Sequence, residues 1–396
     1  MKRCFVVGIA LCVTQAMMGY YLLQHVNSSQ NTKPFEPFST NRSSHVATAQ
    51  VLLLRGLQTK KNATSVRVGK ERIFKLLAGA GINNIDDDTA RQLPTWRQVV
   101  ELYGAKPIIH GLQDSTTCQS FQTHSPKQNH FVSTAGMFNS GTNLMAQLLM
   151  ANCQMVDRMA VYGKQNRGVR WQVPWGKHNP PNRSANGQHQ VTKSINVTAS
   201  DTLVAVTIRD PYVWMASMCR HPYGAHWIHD KLHCPNLIAD EANVQQSKKE
   251  KWMILTQDKS VPILVDYGIG QERYDSLVHL WNAWYKEYMD VPNNIYRIIV
   301  RHEDLIFYPK EVTHAVCTCA GGKIKAHPFK FIVDTAKHAE TAHGSNRTGW
   351  MDAMIRYGTA KKRALPFTTV DLDYAATHLD PNLMQIFGYH YPPKRK

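Results

Sequence analysis

Apolar residues form four short runs that predict β-strands. They lie at residues 107–112, at the start of 131–149 (FVSTAGMFNSGTNLMAQLL), at 203–208 (LVAVTI) and at 296–300 (YRIIV). Continuous apolar runs of this length are typical of strands buried inside a parallel sheet. The run at 131–149 breaks into a turn of small residues and resumes with helical spacing, so it predicts a strand, a loop and a helix.

Helical periodicity occupies the segments between these strands. Residues 71–81 (ERIFKLLAGAG) and 95–104 (TWRQVVELYG) each end on glycine, which predicts two short helices joined by the polar turn NNIDDD. Residues 275–289 carry apolar side chains at helical spacing behind an Asp/Ser cap, and a further helix is predicted from Pro309 to Gly321. Strands that alternate with helices predict an α/β fold around a central parallel sheet.

The amino terminus carries a separate apolar segment. Residues 4–23 contain no charged side chain, and a helix of that length crosses a bilayer core of roughly 30 Å. Lys2 and Arg3 precede it, so the positive-inside rule predicts a type II membrane protein. A cleaved signal peptide is the alternative, and both predict entry into the secretory route. The predicted parts are a cytosolic tail (1–3), a transmembrane signal-anchor (4–23), a polar stem (24–67) and a luminal domain (68–396) that opens with a helical part (68–115).

Composition agrees with that compartment. The 396 residues include 46 basic and 29 acidic side chains, and the net charge of +17 favours an anionic partner such as a nucleotide, an acidic glycan, nucleic acid or a membrane surface. Glycosylation sequons occur at Asn27, Asn41, Asn62, Asn182, Asn196 and Asn346. Six cysteines follow the apolar segment, at Cys118, Cys153, Cys219, Cys234, Cys317 and Cys319. Their even number is compatible with disulfides, although two cysteines as close as the last pair do not bridge each other easily.

The turn inside residues 131–149 has the glycine spacing of a phosphate-binding loop. Gly136 and Gly141 bracket four residues, so backbone N–H groups and a helix N-terminus would face an anion. A triphosphatase or kinase needs Lys and then Ser or Thr at the next two positions, but this chain has Thr142 and Asn143. The loop therefore favours an anion without magnesium or a γ-phosphate, and a tight turn without any ligand is the alternative.

Polar side chains follow the next strand and an intervening loop. Arg209 comes directly after the run at 203–208, where ligands bind in open α/β sheets, and Ser217 lies two turns along the helix that follows. Together they would grip a phosphate. Lys177 and His178 form a basic pair that either faces a cleft or belongs to a solvated loop.

Histidines are dense in the segment HPYGAHWIHDKLHC. His226, His229 and His233 raise the alternative of a metal site, with the last two at the i, i+4 spacing of a helix. The segment lacks the adjacent carboxylate of a metalloprotease, so a polar loop on the substrate side explains it equally well.

Taken together, these segments resemble the sulfotransferase family that uses 3′-phosphoadenosine-5′-phosphosulfate (PAPS), over roughly residues 136–350. The family's 5′-phosphosulfate motif, approximately (K/R)-S-G-T-T, corresponds to Asn139, Ser140, Gly141, Thr142 and Asn143. Its R-(D/N)-P-x5-S motif for the 3′-phosphate corresponds to Arg209, Asp210, Pro211 and Ser217. Its V-R-Y-E-D-L segment, which supports the fold, corresponds to residues 300–305, and its K-x-H-x-P segment is similar to Lys177, His178 and Pro180.

The resemblance implies a P-loop-like three-layer fold, with the opening helices shared by an algal-type branch, and sulfuryl transfer from PAPS without a metal. It implies His178 as the base, Lys177 as the cation near the transferred group, and Ser140 to Asn143 as the 5′ cradle. Arg209 and Ser217 would hold the 3′-phosphate. The expected acceptor is a hydroxyl, or an amine, on a glycan in the Golgi lumen, with a tyrosine in a protein or a small secreted metabolite as the alternatives, and no nucleic-acid partner is expected.

One position departs from the family pattern. Asn139 occupies the place of the Lys or Arg that assists the leaving group, and an amide donates a weaker bond. Either Lys177 takes over this role, or the protein binds the nucleotide without transferring the group. The alternatives are therefore a catalytically silent glycan-binding Golgi membrane protein and, less favoured because the Walker lysine is missing, a luminal P-loop kinase.

Overall fold

The fold is described by a computed structural model for residues 67–112, 116–181, 197–230, 232–247, 249, 254–268, 270–291, 295–334 and 348–393. The predicted signal-anchor, the stem up to residue 66 and all six sequon asparagines lie outside these residues. None of the helices within them has both the length and the apolar character that spanning a membrane requires.

The described chain alternates short strands with helices. The strands are β1 (Ile109–His110), β2 (Phe131–Gly136), β3 (Cys153–Gln154), β4 (Val169–Arg170), β5 (Thr202–Ile208), β6 (Ala225–His226), β7 (Ile263–Asp266), β8 (Gln271–Tyr274), β9 (Arg297–Arg301) and β10 (Lys323–Ile324). The first helices are α1 (Glu71–Gly79), α2 (Asp87–Gln92), α3 (Trp96–Tyr103), α4 (Thr116–His124), α5 (Thr142–Asn152), α6 (Val156–Tyr162), α7 (Pro211–Met218) and α8 (Glu241–Ser247). The later ones are α9 (Leu277–Met289), α10 (His302–Phe307), α11 (Pro309–Cys319), α12 (Gly349–Tyr357), α13 (Ala360–Arg363), α14 (Thr369–His378) and α15 (Pro381–Ile386).

Five strands form the central sheet, in the order β1-β9-β5-β2-β4. Strands β9, β5, β2 and β4 run parallel, which confirms the predicted α/β class with a central, mostly parallel sheet. All seven residues of β5 are buried, as expected for a strand covered on both faces. The predicted strand at 107–112 is shorter than expected, and it pairs antiparallel with β9 at the sheet edge.

Helices cover both faces of this sheet. Successive residues of a strand point to opposite faces, and in the central strands both sets include apolar residues. In β5, Val204 and Val206 join the core cluster that contains α7, α9, α14 and α15. Leu203 and Ala205 point the other way, into the cluster that contains α1, α3, α5, α11 and α12. The sheet therefore lies between two helical layers, and the carboxyl ends of β2, β5 and β9 share one edge.

The predicted helices are found, together with others that were not predicted, such as α2, α4, α6 and α12. Helix α9 begins behind Ser276, whose hydroxyl accepts from the His279 N–H, as the sequence predicted. The turn NNIDDD was expected to join two helices, but it begins a third, α2. The Asp86 carboxylate accepts from the Thr89 N–H and hydroxyl, so it caps a helix that has little apolar periodicity of its own.

Antiparallel pairing and disulfides tie the loops to this frame. Strands β6, β7 and β8 form one small antiparallel sheet, and β3 pairs with β10 in another; the sequence predicted neither. The disulfides are Cys118–Cys319, Cys153–Cys317 and Cys219–Cys234. All six cysteines beyond the predicted anchor are therefore paired, and the two closely spaced ones bridge different partners, as expected.

A fully buried arginine connects distant parts of the domain. Arg301, at the end of β9, forms a two-bond ion pair with Asp304 at 2.7 and 2.8 Å. Its NH2 group also donates to the Tyr103 carbonyl at 2.6 Å, and NH1 donates to the Phe387 carbonyl at 3.0 Å. One guanidinium thus links α3, the central sheet and the residue that follows α15. These bonds offset the free-energy cost of removing the charged guanidinium from water.

Candidate functional site

The loop between β2 and α5 forms a cradle at the carboxyl edge of the sheet. The Ser140 hydroxyl donates to the Met137 carbonyl at 2.8 Å and contacts Thr207 Oγ1 of β5 at 2.8 Å. Ser140 is fully buried, so its hydroxyl shapes the loop from beneath. Thr142 and Asn143 open α5, and in the described part of the chain no side chain caps this helix. Its first N–H groups are therefore not capped by a side chain, an arrangement that suits an anion.

Glycine is required at both ends of this loop. Gly141 has φ 93°, a conformation that favours glycine, and a Cβ there would lie 2.1 Å from His302 Nδ1. A Cβ on Gly136 would lie 2.3 Å from Thr207 Oγ1 and 2.4 Å from the Ser140 hydroxyl. The close approach of β5 and α10 to the loop thus explains the glycine spacing seen in the sequence.

Asn139 has the left-handed conformation, with φ 59°, which asparagine tolerates better than most residues. Its side-chain amide donates to the His221 carbonyl at 2.7 Å and contacts Met218 Sδ at 3.2 Å. Its own carbonyl accepts from Arg209 NH1 at 2.5 Å. The structure thus uses Asn139 to join the loop to the segment after α7, and its amide is engaged there.

The loop that carries Lys177 and His178 folds back onto the cradle. The Lys177 ammonium donates to Asn143 Oδ1 at 2.7 Å, and its carbonyl accepts from the Gly136 N–H at 2.9 Å. The ammonium also lies 4.7 Å from the centre of the Trp171 ring. A cation is therefore held at the first turn of α5, on the side where the helix dipole also attracts anions.

The His178 ring contacts the end of β2. Its Nδ1 lies 2.7 Å from the Gly136 carbonyl, which only accepts, so Nδ1 carries the proton when the ring is neutral. This tautomer leaves the lone pair on Nε2, the atom suited to take a proton. Trp284 Nε1 donates to the His178 carbonyl at 3.0 Å and fixes the backbone of this loop.

Arg209 lies at the end of β5, as predicted. Its guanidinium donates to the Asn139 carbonyl and to the Tyr357 hydroxyl, and it lies 4.7 Å from the centre of the Tyr357 ring. Its Nε is buried and has no hydrogen-bond partner among the residues that the structure describes. Trp281 Nε1 donates to its carbonyl at 3.0 Å and so anchors the strand end.

Two more arginines join Arg209 around Tyr357. Burial alone would raise the pKa of the Tyr357 hydroxyl, but the charges of Arg209, Arg356 and Arg220 lower it below its ordinary value. The pKa of Arg220 is lowered by burial and then by Arg356, Tyr357 being a smaller opposing influence. Three guanidinium groups are thus close enough to repel one another, which an anion between them would relieve.

Ser217 reaches this cluster through Arg220. Its hydroxyl accepts from Arg220 NH2 at 2.9 Å and donates to the Val213 carbonyl at 2.9 Å. Arg220, Arg356 and Tyr357 were not predicted from the sequence. Arg220 carried a usable signal, because it lies only three residues after Ser217, in the turn that follows α7.

His302 is a further residue that the sequence analysis did not assign to the site. It begins α10 directly after β9, it is buried, and its Nδ1 has no hydrogen-bond partner within the described ranges. Burial, followed by the charge of Arg209, lowers its pKa well below the ordinary value, so the ring is neutral. Its orphaned nitrogen faces Gly141, at the start of α5.

The histidine-rich segment differs from its predicted form. Residues 226–233 are not helical where they are described, so His229 and His233 are not an i, i+4 pair. The His229 ring stacks on Trp227 with centroids 4.0 Å apart, and His233 Nε2 lies 3.6 Å from an Asp371 oxygen. Within the described residues, no three His, Cys, Asp or Glu side chains are grouped closely enough to hold a metal ion.

The predicted Lys177, His178 and Arg209 thus meet at one edge of the sheet beside a helix N-terminus, and two arginines that were not predicted join them. Groups of these kinds are suited to binding an anion, and a histidine can serve as a base. Comparison of the chain with protein-family models, with curated proteins and with solved structures finds no match.

Proposed function

We propose that this chain is a PAPS-dependent sulfotransferase that acts on a hydroxyl of a glycan acceptor. The observation that carries the proposal is the approach of two basic side chains to the loop between β2 and α5. Lys177 Nζ lies 2.7 Å from Asn143 Oδ1, and His178 Nδ1 lies 2.7 Å from the Gly136 carbonyl. A cation and a base therefore flank the same anion-binding turn.

The proposed step is a single displacement at sulfur. The acceptor oxygen forms a bond to sulfur while the bond between sulfur and the 5′-phosphate oxygen breaks. The acceptor proton passes to His178 Nε2, and the electron pair of the broken bond stays on the phosphate of the departing nucleotide. Lys177 and the N–H groups at the start of α5 stabilise the negative charge that develops there.

The arginine cluster supports binding of the second charged end of PAPS. Arg209, Arg220 and Arg356 offer planar donor pairs that match the oxygens of a phosphate. Ser217 accepts from Arg220 and keeps that side chain over α7. The 3′-phosphate is therefore assigned to this cluster, and the 5′-phosphosulfate is assigned to Ser140, Gly141, Thr142 and Asn143.

One observation favours a second candidate, a protein that binds the nucleotide and a glycan without transferring sulfate. The Asn139 amide, at the position of the family's Lys or Arg, donates to the His221 carbonyl. In the first candidate Lys177 replaces that missing cation. In the second candidate no other residue replaces the missing cation, so the protein binds the nucleotide but does not transfer sulfate.

The proposed compartment is the Golgi lumen, with the chain anchored as a single-pass type II membrane protein by residues 4–23. Three disulfides support an oxidising compartment, because reduced thiols are the rule in the cytosol. The net charge of +17 supports an anionic donor and an acidic acceptor.

The test is transfer of sulfate-35 from labelled PAPS to a panel of glycans and phenols by the full chain. His178→Ala is expected to lower kcat by about 10²–10⁴-fold, and Lys177→Ala by about 10²–10³-fold. Arg209→Ala is expected to weaken binding of adenosine 3′,5′-bisphosphate. Lys330→Ala removes an exposed lysine outside the site and is the matched control.

Three outcomes would overturn the proposed activity or the roles assigned to its residues. Tight nucleotide binding without transfer to any acceptor would establish the silent binder. Transfer that persists in the His178 and Lys177 variants would exclude these residues from the chemistry. Transfer of phosphate from labelled ATP, in place of sulfate, would identify a kinase.

A further inference from the structure

Tyr223 is an exposed aromatic residue beside the proposed base. Tyr223 is 55% exposed. Its ring lies parallel to that of Phe138, with centroids 5.7 Å apart and an interplanar angle of 12°. Phe138 in turn lies 4.9 Å from the His178 ring. A continuous row of three rings therefore leads from solvent to the proposed base.

The backbone holds Tyr223 in an unfavourable conformation. Its φ of 53° belongs to the left-handed region, where a bulky residue is rare. The next residue, Gly224, pairs with Asp266, whose N–H donates to its carbonyl at 2.7 Å, and a Cβ on Gly224 would lie 2.5 Å from the Asp266 carbonyl. The Asn139 amide holds the His221 carbonyl on the other side. Contacts on both sides thus hold the backbone around Tyr223, as they do for strained residues at binding sites.

The space behind His178 argues against a flat aromatic acceptor. The recess there has no room for a water molecule, and its lining includes four side chains that are at most 2% exposed: Met137, Val265, Leu280 and Trp284. Sites for small aromatic molecules are concave and bury most of the surface of the ligand. In the described part of the chain this recess does not provide such a site.

A sugar ring has the opposite requirement. One face of a pyranose carries mainly C–H groups that pack on an aromatic ring, while its hydroxyls stay in water. Tyr223 offers such a surface, with Phe138 supporting its other face. A glycan lying across this surface would present the hydroxyl of a neighbouring sugar to His178.

From this geometry we infer that Tyr223 is the platform for a pyranose ring of the acceptor, adjacent to the sugar that receives the sulfate. The inference rests on the proposed function, since it assigns the acceptor side of the same site. It makes Tyr223 a specificity-determining residue, and it restricts the acceptor to glycans of at least two sugars.

The test compares three variants of the full chain. Tyr223→Asn removes the ring but tolerates the left-handed backbone, and Tyr223→Phe keeps the ring. Tyr162→Asn is the control, because Tyr162 is 47% exposed and contacts Asn129, before the start of β2. The probes are an oligosaccharide of alternating uronic acid and hexosamine, one of alternating galactose and N-acetylglucosamine, and 4-nitrophenol. The measurements are the KM for each acceptor and for PAPS, and calorimetric binding of each oligosaccharide with adenosine 3′,5′-bisphosphate present.

For whichever oligosaccharide serves as the sulfate acceptor, Tyr223→Asn is expected to raise the acceptor KM and Kd by about 5- to 30-fold. The KM for PAPS should stay unchanged, and the Tyr223→Phe and Tyr162→Asn variants should resemble the unaltered chain. Equal acceptor KM values with and without the ring would overturn the inference, as would preferred transfer to 4-nitrophenol or binding of no oligosaccharide at all. Oligosaccharide binding that depends on Tyr223, without any sulfate transfer, would uphold the platform while the proposed function fails.

Discussion

The buried carboxyl of Glu303 predicts a loss of stability as the pH rises. Glu303 lies in α10, fully buried, where one oxygen accepts from the Asp210 N–H at 3.2 Å and the other accepts from the Tyr389 hydroxyl at 3.0 Å. Burial, and then the charge of Asp210, raises the pKa of Glu303 from 4.5 to about 7. The carboxyl is therefore protonated in the folded chain at pH values where it is ionised in the unfolded chain.

The size of the effect follows from this shift. Because the folded state binds the proton more tightly, the contribution of Glu303 to stability is complete below pH 4.5 and is lost as the pH rises through about 7. At about 1.4 kcal/mol for each pKa unit, the loss amounts to about 3 kcal/mol. His302 acts in the opposite sense over part of this range, since its lowered pKa makes the fold more stable as the pH rises to 6.5. A comparison with a variant is therefore needed to isolate Glu303.

The assay is urea unfolding of the oxidised chain between pH 5 and pH 8, for the unaltered protein and for Glu303→Gln. Glutamine keeps an acceptor for the Asp210 N–H but cannot ionise. We subtract the free energy of unfolding of the unaltered chain from that of the variant at each pH. As the pH rises from 5 to 8, we expect this difference to increase by about 2–3 kcal/mol. Glu101→Gln, on the exposed side of α3, should show no such trend. A pH-independent difference for Glu303→Gln, or one of opposite sign, would mean that Arg209 and Arg301 keep Glu303 ionised.

Two further substitutions test the loop and the strand end beside it. Gly141→Ala should abolish binding of adenosine 3′,5′-bisphosphate in calorimetry, since its Cβ would lie 2.1 Å from His302 Nδ1. Gly81→Ala is the control and should bind normally, because Gly81 has a similar φ but no atom within 4 Å of an added Cβ. Asp210→Asn should lower the free energy of unfolding by about 3–5 kcal/mol in urea titrations, because it leaves the buried Arg363 guanidinium without its carboxylate. An Asp210→Asn chain that unfolds at the same urea concentration as the unaltered one would show that this ion pair adds nothing.

Sequence patterns predicted those parts of the fold that depend on local periodicity. The run at 203–208 became β5, and residues 275–289 became α9 behind Ser276, because burial on two faces or on one face leaves a regular apolar pattern. Helix α2 escaped prediction because a side-chain cap, and not an apolar stripe, starts it. The small antiparallel sheets were missed because two-residue strands such as β3 and β10 have no period to detect.

The positions of the candidate-site residues were predictable where these residues lie beside one strand or loop. Lys177, His178 and Arg209 are each next to a recognisable element, and the structure brings them to one edge of the sheet. Arg356 could not be found in this way, since it meets Arg209 only through the packing of α12 against α10, far along the chain. The role of Asn139 also needed the structure, because it depends on a left-handed backbone and a contact with the His221 carbonyl.

The Arg301 guanidinium also has a consequence for biosynthesis. One of its bonds goes to the carbonyl of Phe387, 86 residues further along the chain, and without that bond a buried cation keeps an unpaired donor. A nascent chain that ends before Phe387 lacks this acceptor, even though all five strands of the central sheet have been made. We therefore expect the domain to reach its full stability only when synthesis is almost complete, and a chain truncated within the last helices to unfold more readily than the complete one.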